Sequence, residues 1–206
     1  MVPELTLTKP EPDIVSSARS WPPAQGDWTY EDYNRLPDNG FRYEVIDGEL
    51  FMSPAPNPHH QTIAGEIFFA LMKLAKEQNL GRVLSAPVDV VLSDIGTPVQ
   101  PDVIFIRQER LDIIGERKID GAPDLVVEVL SPGTEQYDRQ TKYTLYARAR
   151  VPEYWLVDPK SCTIEVHVLR GQAYAPLGTF GPEATIQSEL LPDLHLAISD
   201  ICHKQE

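Results

Sequence analysis

Apolar and polar positions along the chain change period several times, and each period predicts an element. Phe41, Tyr43 and Val45 interleave with Arg42, Glu44 and Ile46, Asp47-Gly48 is the strongest two-residue hairpin signal, and 49–53 returns the chain. Beyond the rigid connector of Pro54, Pro56 and Pro58, the spacing of Ile63, Ile67, Leu71 and Leu74 beside Phe68 and Ala75 predicts an amphipathic helix, closed by Gly81. Residues 82–86, 88–92, 103–106, 154–157 and 163–169 read as strands, with a loop before 103. A short helix over 28–36 takes Thr29 as its cap. Leu125, Val126, Val127, Val129 and Leu130 form a near-continuous apolar run, the signature of a strand covered on both faces, and Ser131-Pro132-Gly133-Thr134 ends it with turn chemistry. A helix follows over 135–148, and the segment beyond 170, through Tyr174, Ile186, Leu190 and Ile201, reads as short strands and turns. The pattern predicts the α/β or α+β class, a mixed sheet flanked by helices.

The first 26 residues, with Pro3, Pro10, Pro12, Pro22 and Pro23 and little periodicity, are expected to form an extended arm, leaving 27–206 as a single domain. A chain of 206 residues that is 42% hydrophobic can bury a full core. No apolar run approaches the roughly 20 residues needed to span a bilayer, and the N-terminus lacks a basic and an apolar signal region, so a cytoplasmic protein with no membrane partner is expected. Cys162 and Cys202 have neither disulfide-framework nor zinc-cluster spacing.

The net charge of −13 argues against a broad, sequence-independent grip on a phosphate backbone. The charge is uneven: residues 1–60 carry four basic against ten acidic side chains, whereas 107–150 hold eight of each. An anionic ligand prefers the second region.

Within it lies Glu128, an acid inside the most apolar strand. Moving an unpaired carboxylate out of water costs several kcal/mol, so buried acids are neutralised, ion-paired or bound to metal. Lys142, about two turns into the following helix, is placed to return over the strand end. The dipeptide Pro-Asp occurs at Asp13, Asp38, Asp102, Asp124 and Asp193, and only Asp102 precedes a separate apolar strand able to lie beside that of Glu128. Asp124 is four residues from Glu128 on the same strand, about 13 Å away, too far for one ion to bridge. Two carboxylates about 4 Å apart repel by roughly 4 kcal/mol at an effective dielectric near 20, and Mg2+ or Mn2+ reverses that sign with the oxygen ligands it prefers.

These residues sit in a larger set. Pro101-Asp102, Glu128-Val129-Leu130-Ser131-Pro132, then Asp138, Lys142 and Tyr146, then 153–159 (EYWLVDP), preceded by 42–50 (RYEVIDGEL), Ser53-Pro54 and His60, resemble the Uma family of restriction endonuclease-type proteins, a branch of the PD-(D/E)xK nuclease superfamily. The resemblance spans about residues 28–170. It implies a restriction endonuclease-like core and Mg2+-dependent hydrolysis of DNA phosphodiesters. Asp102 and Glu128 then hold the metal with the Val129 carbonyl, Glu44 adds a third acid, and His60 contacts the phosphate or the water. The superfamily expects a lysine two residues after the second acid, where this chain has Leu130; Lys142 on the next helix is the substitute, orienting or deprotonating the attacking water.

Each assignment has an ordinary competitor. Lys142 and Asp138 are spaced for a helix-surface ion pair, Glu44 for an exposed hairpin position, and His60 for a helix cap or a packing residue. Tyr146 and Trp155 read as core, and Ser131 as turn chemistry rather than a nucleophile. Two other functions stay open: a fold relative that binds nucleic acid or protein without cutting, and a metallohydrolase of small phosphate esters. Cutting both strands of a duplex requires two sites, so a homodimer is also expected.

Overall fold

The computed structural model describes residues 21–92 and 98–202, so the first 20 of the 26 residues expected to form an arm, residues 93–97 of the loop before 103, and residues 203–206 fall outside it. Residues 21–26 lie against the hairpin: Gly26 N–H donates to the Gly48 carbonyl at 2.9 Å, and the Gln25 amide pairs with the Leu50 backbone. Helix α1 (Tyr30–Tyr33) is shorter than expected but capped as expected, Thr29 and Asp32 exchanging the two bonds of a capping box. Strands β1 (Phe41–Ile46) and β2 (Glu49–Pro54) form the hairpin, with Asp47 and Gly48 at φ 50° and 78° as a type I′ turn requires.

Helix α2 (Pro58–Glu77) buries Ile63, Ile67, Leu71 and Leu74, the predicted stripe. It is not closed by Gly81. Asn79 takes the left-handed turn at φ 54°, and Gly81 instead opens β3 (Gly81–Ser85). A Cβ there would stand 2.0 Å from the Ile106 carbonyl oxygen, so glycine is required by close backbone approach rather than by helix termination.

The remaining elements are β4 (Val90–Val91), β5 (Val103–Arg107), a 3-10 turn (Gln108–Ile113), β6 (Ile119–Asp120), β7 (Leu125–Val129), α3 (Tyr143–Arg148), β8 (Glu153–Asp158), β9 (Thr163–Arg170), β10 (Ala173–Phe180) and α4 (Ile198–Ile201). Residues Tyr137–Lys142 wind as a π-helix directly into α3, where an uninterrupted α-helix was expected. Six strands form one mixed sheet in the order β10-β9-β8-β7-β5-β3, with β7 and β8 parallel and every other pair antiparallel. Strand β10 runs eight residues where only short strands were expected. Pro176 and Gly178 obscured it, and both are tolerated because β10 is an edge strand with an irregular register at that point.

The sheet buries both faces. Helix α2 and the segment 186–201 pack Ile67, Leu71, Leu194 and Ile198 over Val103, Val127, Val129 and Trp155. On the other face, Leu145, Tyr146 and Val151 cover Ile104, Val126, Tyr154 and Leu156. Strand β7 therefore has water on neither side, as its unbroken apolar run predicts. No described helix is long and apolar enough to cross a membrane.

Two glycine substitutions separate these constraints, with opposite signs in urea unfolding. Gly81→Ala, at φ 151° against the Ile106 carbonyl, is expected to cost about 2 kcal/mol or more. Gly65→Ala, exposed on α2 with nothing within 4 Å of the added Cβ, is expected to gain roughly 0.5–1 kcal/mol.

Candidate active site

The register of the sheet brings the two expected acids together. Strand β5 pairs β7 with Val103 opposite Val127, and one further step sets Asp102 opposite Glu128. Both share parity with Ile104, Ile106 and Val126, so both leave the sheet face covered by α3. Neither is solvated: Asp102 is 4% exposed and Glu128 2%.

Each carboxylate is held by several donors. Asp102 Oδ2 accepts the Val129 N–H at 2.9 Å and lies 3.1 Å from His60 Nε2, while Oδ1 accepts Arg42 Nη1 at 2.9 Å. Glu128 Oε1 accepts Lys142 Nζ at 2.9 Å and the Tyr146 hydroxyl at 2.7 Å. Glu44 Oε1 accepts the Gln100 N–H at 2.7 Å and stands 3.0 Å from Lys142 Nζ, with Asp138 Oδ1 at 3.6 Å from the same ammonium. The four acids, Arg42, His60 and Lys142 line a cleft of about 280 Å³ together with 53–57 and the turn Ser131–Thr134.

Local structure explains the delivery. Arg42 and Glu44 are two apart on β1, hence on one face of the hairpin. His60 is the third residue of α2, its N–H capped by the Asn57 side chain at 2.9 Å, which sets the imidazole over the end of β5. Asp138, Lys142 and Tyr146 recur every four residues, so one stripe of the π-to-α segment meets Glu128.

The electrostatics follow from burial and charge excess. Burial alone would raise the Asp102 carboxyl, but the hydrogen bonds and charges of His60 and Arg42 outweigh it and hold the group at about 2. Glu128 is pushed well above the usual carboxylate range, first by burial and then by Asp138, Asp102 and Glu44, against the pull of Lys142. Burial would strip the Lys142 proton, yet Glu128, Glu44 and Asp138 more than offset that and keep it an ammonium. One lysine cannot satisfy three acids, so Lys142 stays charged while Glu128 rises. His60 Nδ1 is buried without a hydrogen-bond partner among the described residues.

The ordinary competitors fare unevenly. Lys142, 3% exposed, and its neighbour Asp138 are buried, not a surface pair, and Glu44 is buried, not an exposed hairpin position. His60 packs near the start of its helix and also touches Asp102. Tyr146 is core and, through its hydroxyl, part of the site; Trp155 is core, donating to Glu153 at 2.7 Å. Ser131 bonds Thr134 within its own turn. Asp124 serves the opposite end of β7, accepting the Arg107 N–H and Arg110 Nη1. Sequence reasoning gave Arg42 no role in the site and weighed Asp138 only as the partner of Lys142; the i, i+2 relation of Arg42 to Glu44 was the available signal. Among the described residues, no three His, Cys, Asp or Glu side chains are grouped as a ready metal cage. Lys142 Nζ occupies the middle of the acids instead.

Residues 30–199 match the Uma2 family, described as "Putative restriction endonuclease". A solved structure described as a "putative nuclease belonging to DUF820" from Anabaena variabilis ATCC 29413 superposes with a TM-score of 0.68 at 23% identity, covering 83% of this chain and 95% of that one. At that identity the likeness speaks for the fold. No curated protein matches the chain. With the family match extending over 30–199, the chain belongs to the Uma2 family of restriction endonuclease-type proteins.

Proposed function

We propose that the cleft is the active site of a cytoplasmic endonuclease that hydrolyses DNA phosphodiester bonds with Mg2+ or Mn2+. The observation that carries this reading is the meeting of Asp102 and Glu128 from adjacent strands in a cleft rich in buried carboxylate oxygens. Such hard donors suit Mg2+ or Mn2+. The fit is also supported by Lys142 Nζ, within 3.6 Å of three acids, which marks where positive charge is demanded. Asp102, Glu128, Glu44 and the Val129 carbonyl are the proposed ligands. When bound, the cation supplies a lowered pKa for water and charge stabilisation at the scissile phosphate.

The chain's own groups do the rest. Val129 N–H and His60 brace Asp102, and Tyr146 braces Glu128, so both carboxylates are held in place before any ligand arrives. Lys142, held as an ammonium by three acids, is given the role of orienting water or phosphate through its N–H groups. Double-strand cutting requires two sites, so a two-fold pair is part of the proposal. A second reading, binding without cutting, has one observation in its favour: Lys142 and Arg42 already engage the acids a metal would use.

Incubation of plasmid, short oligonucleotides and nitrophenyl phosphate with Mg2+ or Mn2+, then EDTA, separates the readings. DNA cleavage that EDTA stops and that Asp102→Asn and Glu128→Gln each lower by more than about a hundredfold is expected. Cleavage unchanged by these substitutions would refute the site, and turnover of nitrophenyl phosphate alone would point to a small-ester hydrolase. Lys142→Met leaves buried acids without their counter-charge and is expected to cost about 3–5 kcal/mol in urea unfolding, with Mn2+ raising the Tm of the variant more than that of the wild type.

Acid unfolding tests Asp102 separately. Its folded value of about 2 lies below the ordinary 3.8, so its contribution is present above 3.8 and fades as pH falls toward 2. That contribution amounts to roughly 2 kcal/mol, and Asp102→Asn is expected to flatten the stability profile between those limits.

A further inference from the structure

Arg42 is anchored at one corner only. Its side chain is 17% exposed, it lines the cleft, and both of its hydrogen bonds leave from Nη1, to Asp102 Oδ1 at 2.9 Å and to the Gln100 carbonyl at 3.5 Å. Nε and Nη2 have no hydrogen-bond partner among the described residues. Those two atoms form the side edge of the guanidinium, whose parallel N–H groups grip two oxygens of one anion.

An arginine kept only to neutralise Asp102 would gain most by offering that edge to both carboxylate oxygens. Here Asp102 Oδ2 is taken by Val129 N–H and His60, and the edge is not used on it. Nor does another acid of the cleft claim it: Glu44, Glu128 and Asp138 all turn to Lys142. The result is a charged pair of donors, fixed in direction by Nη1, in the wall of a cleft whose four carboxylates outnumber its two basic side chains. A backbone phosphate entering such a cleft is repelled everywhere except beside these cations.

We infer that Arg42 is a phosphate-binding residue of this site: Nη1 stays on Asp102 while the Nε–Nη2 edge takes the two non-bridging oxygens of a nucleic-acid backbone phosphate. The inference rests on the nuclease reading and gives that reading its contact with the substrate backbone. It also distinguishes the two cations of the cleft: Lys142 is shared among three acids, whereas Arg42 spends one nitrogen on a single acid and offers its remaining edge to the substrate.

The test compares Arg42→Lys and Arg42→Met with the wild type, using a fluorescein-labelled oligonucleotide, single-stranded and duplex, with Ca2+ for binding by anisotropy and with Mg2+ for kcat and KM. Mn2+ uptake is followed by calorimetry without nucleic acid. Arg42→Lys retains a charge and a bond to Asp102 but has no fork. It is expected to keep its Tm and Mn2+ uptake near wild type while binding the oligonucleotide roughly ten- to a hundredfold more weakly, with KM rising by a similar factor and kcat changing less. Arg42→Met is expected to lose at least as much. Arg42→Lys equal to wild type in affinity and KM, while Asp102→Asn is inactive, overturns this inference alone. Loss of Mn2+ uptake and Tm in step with oligonucleotide affinity also overturns it, since Arg42 then only braces Asp102. A wild type that binds no oligonucleotide overturns both this inference and the nuclease reading.

Discussion

A single ammonium among three buried acids is the constraint around which the cleft is arranged. Lys142 Nζ lies 2.9 Å from Glu128, 3.0 Å from Glu44 and 3.6 Å from Asp138, and those acids arrive from three separate parts of the chain. Removing a charge from water costs several kcal/mol, and only a closely matched partner offsets it. Hairpin, sheet and the π-to-α segment are therefore tied to one another by charge as well as by apolar contact. Glu44 anchors the hairpin to Gln100 and Lys142, and Tyr146 ties the Glu128 strand to α3.

The two faces of the sheet divide the work. Helix α2 and the C-terminal segment form an apolar layer that carries only His60 to the site, from its first turn. The other face contributes both strand acids, the lysine and the bracing tyrosine, all beside the aromatic cluster of Tyr146 and Tyr154, whose rings stand 5.1 Å apart. Low polarity around Glu128 strengthens every charge interaction there, which raises that carboxyl and keeps Lys142 protonated.

Asp102 and Glu128 are also tuned in opposite directions. Asp102 has a backbone N–H, an imidazole and a guanidinium on its two oxygens and stays ionised; Glu128 shares one ammonium with two other acids and is raised. Pairs of acids pushed apart in this way are characteristic of functional sites. The arrangement is costly to stability, because nearly every charge of the cleft is withdrawn from water, and a fold selected for stability alone would place valines there.

Much of the framework was legible along the chain. The apolar run of β7, the Asp47-Gly48 turn, the α2 stripe and the choice of Asp102 among five Pro-Asp pairs all follow from local periodicity and turn chemistry, which act between residues close in sequence. The same periodicity misassigned Gly81, because its glycine is demanded by the Ile106 carbonyl on another strand. It also understated β10, because edge position is a property of the assembled sheet. The sequence by itself determined that Glu128 rides an apolar strand and that Asp102 opens another, while the burial of Glu44, Asp138, Lys142 and Glu153 was decided by the fold. Only the tertiary structure decided which charge faces which: that Arg42 meets Asp102, that Lys142 is shared among Glu44, Glu128 and Asp138, and that Tyr146 reaches Glu128. The reason is that ion pairing and hydrogen bonding act over about 3–4 Å in space, and residues separated by dozens of positions enter that range only when the strands have taken their register.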